Sequence, residues 1–315
     1  MAVTPRRILV VTQDGNLTGD QLFLLYFLRW LAAETPVEAE VLTWQEGPLT
    51  EDLREIVPVR VVADLDRWRP ARFFEVLRLR RATQVLKSLR LRWWLHRRRH
   101  HDVIYVNGLR AGRIVGFLGR THPPVVVHVH APSELDDPAL ADADRDLVLA
   151  TATRMVATGE EAERRLVDAG ADPAAIDRHE HFLAGADHLP ASTRRPGRAE
   201  LGLRAEEVVV GGIGTADWWA AADQFVLVAW SLRRARPDLA LRFLWIAGDD
   251  DERVLWPLRH DLANAGLDDV TVVATGHRPL DYVEVMDVLL LATRVESQEL
   301  IALEAAAAGV AVVAT

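Results

Sequence analysis

Cysteine is missing from all 315 residues of the sequence. Without it these residues can form no disulfide, supply no thiolate nucleophile and offer no Cys-ligated zinc site. The absence fits a reducing compartment such as the cytosol. Chemistry that needs a thiol or a disulfide is therefore excluded.

Long uninterrupted apolar runs are also missing. The most apolar early stretch, Leu22 to Leu31, is interrupted by Arg29 and is too short to cross a bilayer. Met1 to Arg7 lead directly into a predicted strand, so we expect no signal peptide. These absences favour a cytoplasmic protein.

The chain as a whole is not basic, since its net charge is −9. The exception is residues 67–101, which carry twelve lysines and arginines and one acidic residue, Glu75. An acidic protein with one basic stripe is a poor candidate for general nucleic-acid binding, and we predict no nucleic-acid partner. Local contact with an anionic surface is compatible with this pattern.

Two interpretations of the basic segment 67–101 stay open. Leucine, tryptophan and arginine are mixed along it, as in an amphipathic helix that lies in a membrane interface. The same pattern is typical of a domain helix whose apolar side packs on the core while its arginines face water. An alternating α/β domain needs such a helix in any case.

The length predicts about two domains, each with its own core. Apolar strand candidates alternate with helical stretches, which favours parallel sheets with helices on both faces. Residues 184–202 are rich in Gly, Pro, Asp and Arg and predict a linker. We therefore expect one Rossmann-like domain over 1–187 and a second over 188–315.

The strands and helices follow from the same alternation. The predicted strands are 7–12, 37–42, 57–62, 103–106, 125–129, 154–158, 208–211, 241–246, 270–273, 288–291 and 310–313. The predicted helices include 21–33, 160–169, 221–234, 252–265, 280–285 and 300–308.

The loop after the first strand holds Thr18 and Gly19 ahead of a nearly all-apolar helix. A glycine-bearing loop between a strand and a helix is compatible with a phosphate or sugar site. The loop lacks the G-x-G-x-x-G spacing, so a dinucleotide fingerprint is absent. The alternative is a turn that merely connects two elements.

His128 and His130 stand at the end of the strand 125–129. Alternation along a strand places both imidazoles on one face, and the second can turn toward the sheet edge where ligands bind. Two histidines at this spacing also suggest half of a metal site. No third ligand is in view in the sequence.

The last residues predict a strand, a loop, a helix and a further strand. Glu296 follows the strand 288–291, and Glu304 lies on the second turn of the helix, where both can face one crevice. The amide groups at the helix start favour a phosphate. Alternatively, Glu296 and Glu299 only complement the helix dipole, and Glu304 is a solvated helix residue.

This Glu-x7-Glu arrangement resembles that of retaining glycosyltransferases of the GT-B fold, in particular family 4. The loop from Gly212 to Asp223 is also similar to the family stretch Gly-x-Gly-Thr-x-Asp-Trp-Arg-Lys-Gly-x-Asp. The resemblance implies an α/β protein with two Rossmann-like domains whose parallel sheets face a central cleft. It implies retaining transfer of a sugar from a nucleotide-sugar donor to a hydroxyl of a sugar or lipid-linked acceptor, with no metal and no cofactor.

The resemblance also implies roles for single residues. His130 lies beside the reaction centre and Glu296 contacts the donor sugar, so both are predicted as catalytic, while Glu304 holds the ribose. The remaining predicted substrate-binding residues are Thr18, Gly19, Gly214, Arg278, Arg294, Ser297, Gln298 and Leu300. The basic segment 67–101 resembles the helix by which many members dock on a membrane, which implies a peripheral position on its inner face.

The chain departs from the family pattern where the donor diphosphate binds. Trp219 and Ala220 replace the usual Arg and Lys, and Glu299 adds a carboxylate near the phosphate. Losing such donors typically costs orders of magnitude in rate. Arg294 and Arg278 are the candidates to compensate.

These departures leave other functions open. One is a catalytically impaired relative that acts as a binding or scaffold protein. Another is a sugar-nucleotide epimerase of the same fold, whose acid and base carboxylates we do not locate. Family members usually continue past the strand 310–313 through further helices, so we expect the second domain to be incomplete at its C-terminus.

Overall fold

A computed structural model describes residues 6–16, 18–62, 80–97, 100–183, 196–216, 218, 220–248, 251–275, 279–292, 294 and 299–314. The chain divides into two compact units, Met1–His188 and Leu189–Thr315. Each unit is built on one parallel β-sheet. Within the described ranges, no helix has the length and apolar character needed to span a bilayer.

The first unit holds a seven-stranded sheet. Its strands are β1 (Arg7–Thr12), β2 (Glu38–Thr43), β3 (Val59–Val61), β4 (Val103–Asn107), β5 (Val125–Val129), β6 (Arg154–Ala157) and β7 (Ile176–Arg178). They lie in the order β3-β2-β1-β4-β5-β6-β7. The order reverses between β1 and β4, and ligands bind at such a reversal in open α/β sheets.

Helices cover this sheet. They are α1 (Gly19–Glu34), α2 (Thr50–Ile56), α3 (Arg80–Arg97), α4 (Asp142–Thr151) and α5 (Gly159–Asp168), with 3₁₀ helices at Leu109–Phe117, Pro132–Asp136 and Pro173–Ala175. The first helix, α1, buries apolar side chains on most of its circumference, including Phe23 and Leu28. A helix that is apolar all round belongs inside a domain.

The second unit holds a five-stranded sheet. Its strands are β8 (Val208–Ile213), β9 (Leu241–Ala247), β10 (Thr271–Thr275), β11 (Val288–Leu291) and β12 (Ala311–Ala314), in the order β10-β9-β8-β11-β12. Its helices are α6 (Ala222–Ala235), α7 (Glu252–Ala265) and α8 (Glu299–Ala307), with 3₁₀ helices at Arg198–Leu201 and Pro279–Val285. Here the order reverses between β8 and β11.

Two glycines in β8 allow large side chains to pack directly on the strand. A Cβ at Gly212 would lie 2.7 Å from Trp245 Cε3 and 2.9 Å from Phe225 Cδ2, and one at Gly211 would overlap Met286. Trp245 and Phe225 are buried and meet edge to face, with ring centroids 5.1 Å apart. The strand that carries the predicted glycine loop is therefore fixed from one side by an aromatic pair.

Most predicted elements agree with the structure, and β1, β5, β11 and α7 have the predicted bounds. The sequence reasoning missed β7, α2, α4 and the 3₁₀ helix Leu109–Phe117. It was also wrong about the type of helix at 280–285, because that segment lies in a 3₁₀ helix. In the basic segment, α3 is described, whereas residues 63–79 and 98–99 lie outside the described residues.

Candidate active site

Buried polar side chains gather at the carboxyl ends of the central strands of the first unit. Thr12 ends β1, Asn107 ends β4, His128 lies near the end of β5 and Thr158 follows β6. Because parallel strands end at the same edge of a sheet, these side chains meet there. Thr12 Oγ1 donates to Gln21 Oε1 of α1 at 2.7 Å, which ties the first helix to this edge.

His128 is held on both sides by the protein. Its Nδ1 lies 2.6 Å from the Tyr105 hydroxyl, and its Nε2 lies 3.0 Å from Thr158 Oγ1. Burial lowers the pKa of His128 well below its ordinary value and raises the pKa of Tyr105. In the neutral ring one nitrogen donates and the other accepts, and the Tyr105 and Thr158 hydroxyls can each take either role. His128 therefore supports the strand end and has no nitrogen left for a substrate.

His130 contacts the protein tightly through one nitrogen and more loosely through the other. Its Nε2 lies 2.8 Å from Asn107 Oδ1, while Asn107 Nδ2 donates to the Asp20 carbonyl at 3.3 Å. That pairing orients the Asn107 amide, so Nε2 of His130 carries the proton and Nδ1 carries the lone pair. Burial lowers the pKa of His130 to about 3, so the ring is neutral at pH 7. Nδ1 lies 3.5 Å from His181 Nε2.

Glu134 is a half-buried carboxylate beside His130 that the sequence reasoning missed. Its Oε1 accepts from His130 N at 2.6 Å and from Ala131 N at 3.2 Å, and its Oε2 accepts from Leu109 N at 2.6 Å. Burial raises its pKa to about 7. One side chain thus joins the loop after β4 to the loop after β5. Gly108, with φ +83°, approaches Oε2 closely, since a Cβ there would lie 3.1 Å away.

Little in the sequence indicates this role. Glu134 stands in an acidic stretch with Asp136 and Asp137, just after Pro132, which is typical of a solvated loop. A Pro–x–Glu pattern directly after a buried strand was the available signal, because Pro and Glu are favoured in the first turn of a helix.

An aromatic ring from α1 lies against the histidines. The Phe23 ring centroid is 5.3 Å from that of His128, 5.6 Å from His130, 5.2 Å from His181 and 5.0 Å from Phe182. The imidazoles of His128 and His130 stack with centroids 3.9 Å apart, so both side chains lie on one face as predicted. Among the residues that the structure describes, no group of three or more His, Cys, Asp or Glu could hold a metal ion.

Thr18 and Gly19 lie at the start of α1. The Thr18 carbonyl accepts from Leu22 N at 2.9 Å, and Gly19 is the first residue of the helix. The next residue, Asp20, accepts from Asn107 through its carbonyl. The predicted loop residues and His130 therefore belong to one hydrogen-bonded edge of the first unit.

In the second unit, Arg294 after β11 contacts the loop after β8 and the first turn of α6. Arg294 donates to both carboxylate oxygens of Asp223 at 2.7 Å and to the Trp218 carbonyl at 2.6 Å. Its guanidinium also lies 4.6 Å from the centre of the Trp218 ring. Gly214, directly after β8, has φ +154° and donates to the Ile246 carbonyl at 3.0 Å. These residues lie where the strand order reverses.

The remaining predicted residues lie on or before α8. Leu300 is buried near the start of the helix, and Glu304, one turn later, is half-buried. Glu296, Ser297, Gln298 and Arg278 lie outside the described residues. Their predicted roles stay predictions.

Residues 207–315 match the family described as glycosyl transferases group 1. The match lies within the second unit. The chain is 29% identical over 239 residues to the D-inositol 3-phosphate glycosyltransferase of Kineococcus radiotolerans. The aligned residues are 70% of this chain and 55% of that protein. The enzyme of the same name from Paenarthrobacter aurescens is 31% identical over 236 residues, 69% of this chain and 54% of that protein. The chain spans about half the length of these curated relatives.

Solved structures resemble both units of the chain. Anabaena HepE in complex with UDP-glucose has a TM-score of 0.71 at 17% identity, over 98% of this chain and 80% of that chain. S. aureus TarM in complex with Fondaparinux, alpha-GlcNAc-glycerol and UDP has a TM-score of 0.67 at 9% identity, over 99% of this chain and 85% of that chain. A putative UDP-N-acetylglucosamine 2-epimerase from Listeria monocytogenes has a TM-score of 0.59 at 13% identity, over 98% of this chain and 79% of that chain. The predicted GT-B type of α/β fold, with two parallel sheets, is confirmed.

Proposed function

We propose that this protein transfers a sugar from a nucleotide-sugar donor to an acceptor hydroxyl, with retention of configuration. The observation that carries the proposal is the match of residues 207–315 to the group 1 glycosyl transferases. HepE binds UDP-glucose and two relatives act as D-inositol 3-phosphate glycosyltransferases. UDP-glucose and D-inositol 3-phosphate are therefore the first donor and acceptor to test.

In this proposal His130 recognises a sugar hydroxyl. Its Nδ1 lone pair can accept a hydrogen bond, because Asn107 holds Nε2 as the protonated nitrogen. A sugar hydroxyl would replace the long contact of 3.5 Å that Nδ1 makes with His181 Nε2. With a pKa of about 3, the buried ring is too weak a base to hold a proton at neutral pH. Hydrogen bonding and positioning are thus better supported than proton storage. Glu134 would keep the His130 backbone in place.

The donor would be bound by the second unit, with Glu296 on the sugar, Glu304 on the ribose and the start of α8 near the diphosphate. The position of this helix supports that assignment, since it follows β11 at the reversal of strand order. Backbone groups of Gly214, Ser297, Gln298 and Leu300 would complete the contacts.

Calorimetry with nucleotide diphosphates and nucleotide sugars tests the donor site. We expect micromolar affinity for one of them, and about tenfold or greater loss in Glu304→Ala. Glu252→Ala is the matched control, because Glu252 is an exposed carboxylate on α7 of the same unit. Binding at millimolar level or none across the panel would instead support a scaffold protein.

The scaffold function is the second candidate, and one observation favours it. Ala220 stands where relatives place a cation, and Arg294, the nearby candidate replacement, is already paired with Asp223. This pair also lowers the pKa of Asp223, so the carboxylate stays charged at neutral pH. A donor diphosphate would have to compete with that carboxylate for the guanidinium.

Two variants decide whether Arg294 serves the donor. If it does, Arg294→Gln weakens nucleotide-diphosphate binding about tenfold, whereas Asp223→Asn preserves or improves it by removing the competing carboxylate. Equal losses in both variants would mean that the pair has only a structural role. No donor binding in any of the proteins would favour the scaffold.

We also propose peripheral contact with the inner face of a membrane through residues 67–101. In support, the described part of α3 exposes Val85, Leu89 and Trp93 among cationic side chains. Apolar and basic residues on one exposed helix face favour an anionic membrane surface. A lipid-linked acceptor would be reached from this position.

A further inference from the structure

A cavity of about 190 Å³ opens in the first unit, away from the candidate active site. Its lining includes Leu9 in the first half of β1, Ile104 near the start of β4 and Pro123 ahead of β5. His130 and Asn107 lie at the opposite, carboxyl edge of the same sheet. The proposed transfer reaction therefore does not use this cavity.

The walls of the cavity are mainly apolar, and its polar lining includes three basic residues. The apolar lining residues are Leu9, Leu95, Ile104, Phe117 and Leu118, and the basic ones are Arg92, His96 and His122. Among the described residues no acidic side chain lines it. For comparison, an apolar cavity of about 150 Å³ holds benzene. The space is therefore sufficient for a short run of methylene groups.

Arg92 supplies the charge at this site. The side chain is exposed on α3, and its Nη2 donates to the Gly116 carbonyl at 3.3 Å, in the chain segment that leads to Phe117. In the part of the chain that the structure describes, no carboxylate forms an ion pair with it. A guanidinium without a carboxylate beside apolar walls favours an anionic group of a ligand.

An exposed apolar line on α3 leads to this cationic group. Val85, Leu89 and Trp93 follow one another at intervals of four residues and are 58%, 55% and 56% exposed. That spacing places them along one face of the helix, next to Arg92 and His96. The exposed apolar face of α3 is therefore next to the basic side chains at the cavity, but it does not line the cavity itself.

We propose that this cavity is a binding site for a single-chain amphiphile with an anionic head, such as an alkyl phosphate or a fatty carboxylate. The first methylene groups of the chain enter between Leu95 and Phe117. The head pairs with Arg92, with His96 and His122 nearby. The proposal does not depend on the transfer reaction. Free amphiphiles and bilayer lipids share this chemistry, and the experiment separates the two sources.

The first arm uses monomers in solution. Calorimetry on the full chain compares n-decyl phosphate, kept below its micelle concentration, with inorganic phosphate and with 1-decanol. Because charge and chain both contribute, we expect decyl phosphate to bind about tenfold more tightly than either of the others. Equal affinities, or no binding of decyl phosphate, would overturn the proposal.

The second arm uses variants, with their folding checked by thermal unfolding. Leu118→Trp fills the cavity and Arg92→Gln removes the charge, and each should weaken decyl phosphate binding about tenfold. Arg97→Gln is the matched control, because Arg97 is exposed on the same helix and stacks on Trp93 at 4.8 Å, outside the lining. If Leu118→Trp fails to fold, Arg92→Gln decides alone, since its side chain is exposed. Unchanged binding in Arg92→Gln contradicts the proposal.

The third arm distinguishes the cavity from a membrane surface. Trp93→Gln should leave decyl phosphate binding unchanged, even where it weakens binding to phosphatidylglycerol vesicles. Loss of monomer binding in Trp93→Gln would place the amphiphile on the exposed face of α3 and overturn the cavity assignment. Binding to vesicles without any binding of monomers would overturn it too.

Discussion

His128 and His130 are identical residues two positions apart, but their imidazoles have different hydrogen-bond partners. Strand alternation places both imidazoles on one face, and they stack 3.9 Å apart. Tyr105 and Thr158 take up both nitrogens of His128, whereas His130 has Asn107 on one nitrogen and His181, 3.5 Å away, on the other. The alternation was readable from the sequence. The partners were not, since they come from other strands and loops.

His130→Gln should reduce the acid sensitivity of the fold. The folded-state pKa of His130 is about 3, below its ordinary value of 6.5, so its contribution to stability is full above pH 6.5 and is lost as the pH falls toward 3. The stability advantage of the wild type over the His130→Gln variant should therefore shrink by about 1.4 kcal/mol per pH unit below pH 6. Urea unfolding of both proteins between pH 7 and pH 4 measures this difference.

The matched control for that series is His260→Gln, because His260 is an exposed histidine of α7. Both variants are unfolded in urea over the same pH range. Equal pH dependence of the two variants would contradict the lowered pKa assigned to His130.

Glu134→Gln should show the opposite dependence on pH. Burial raises the pKa of Glu134 from 4.5 to about 7, so its contribution to stability is full below pH 4.5 and is lost as the pH rises through 7. The stability of the wild type relative to the variant should fall by about 1.4 kcal/mol per pH unit between pH 5 and pH 7. If the unfolding free energy of the wild type instead rose relative to that of the variant over this range, the three amide donors would stabilise the charged form more than burial opposes it.

At the scale of elements, β8 depends on the absence of a side chain at Gly212. Gly212→Ala would put a Cβ 2.7 Å from the Trp245 ring and 2.9 Å from Phe225, both buried. Because these rings cannot move aside without disturbing the core, we expect a loss of about 1–3 kcal/mol in unfolding free energy. Gly248→Ala is the control, since no atom of the described residues lies within 4 Å of a Cβ there, and should change stability by less than about 0.5 kcal/mol. Equal effects of the two changes in urea unfolding would contradict this packing.

The strands of both sheets could be predicted because burial on two faces selects continuous apolar residues. β1, β5 and β11 are such runs, and their bounds were predicted correctly. β7 was missed because its three residues include Asp177 and Arg178 and lie at the sheet edge. The 3₁₀ helix Leu109–Phe117 was missed because Gly112 and Gly116 obscure a helical period.

The candidate site was predictable to a smaller extent. A histidine at the end of a central strand indicates a ligand edge from position alone, which is how His130 was chosen. Glu134 and the Arg294–Asp223 pair depend on contacts between residues 25 and 71 positions apart in the sequence. The local Pro–x–Glu pattern places Glu134 near a helix start but does not give its partner Leu109, so the structure was needed to find these contacts.

At the scale of the whole molecule, charge is distributed unevenly. The chain carries a net charge of −9, yet residues 67–101 hold twelve basic residues and one acid. Close to an anionic membrane each Lys or Arg contributes about 1 kcal/mol, an attraction that salt screens within a Debye length. A protein of this charge pattern should approach such a surface with one side only.

Vesicle co-sedimentation tests that orientation. The wild type should bind vesicles that contain phosphatidylglycerol, release them as salt rises, and ignore pure phosphatidylcholine. Trp93→Gln should weaken binding on the order of tenfold, because an exposed Trp that enters the interface is worth about 1.5–3 kcal/mol. Trp256→Gln is the matched control, since Trp256 is 62% exposed but lies on α7, outside the basic segment. Equal losses in the two variants, or binding that is insensitive to anionic lipid, would mean that α3 is an ordinary surface helix with its arginines in water.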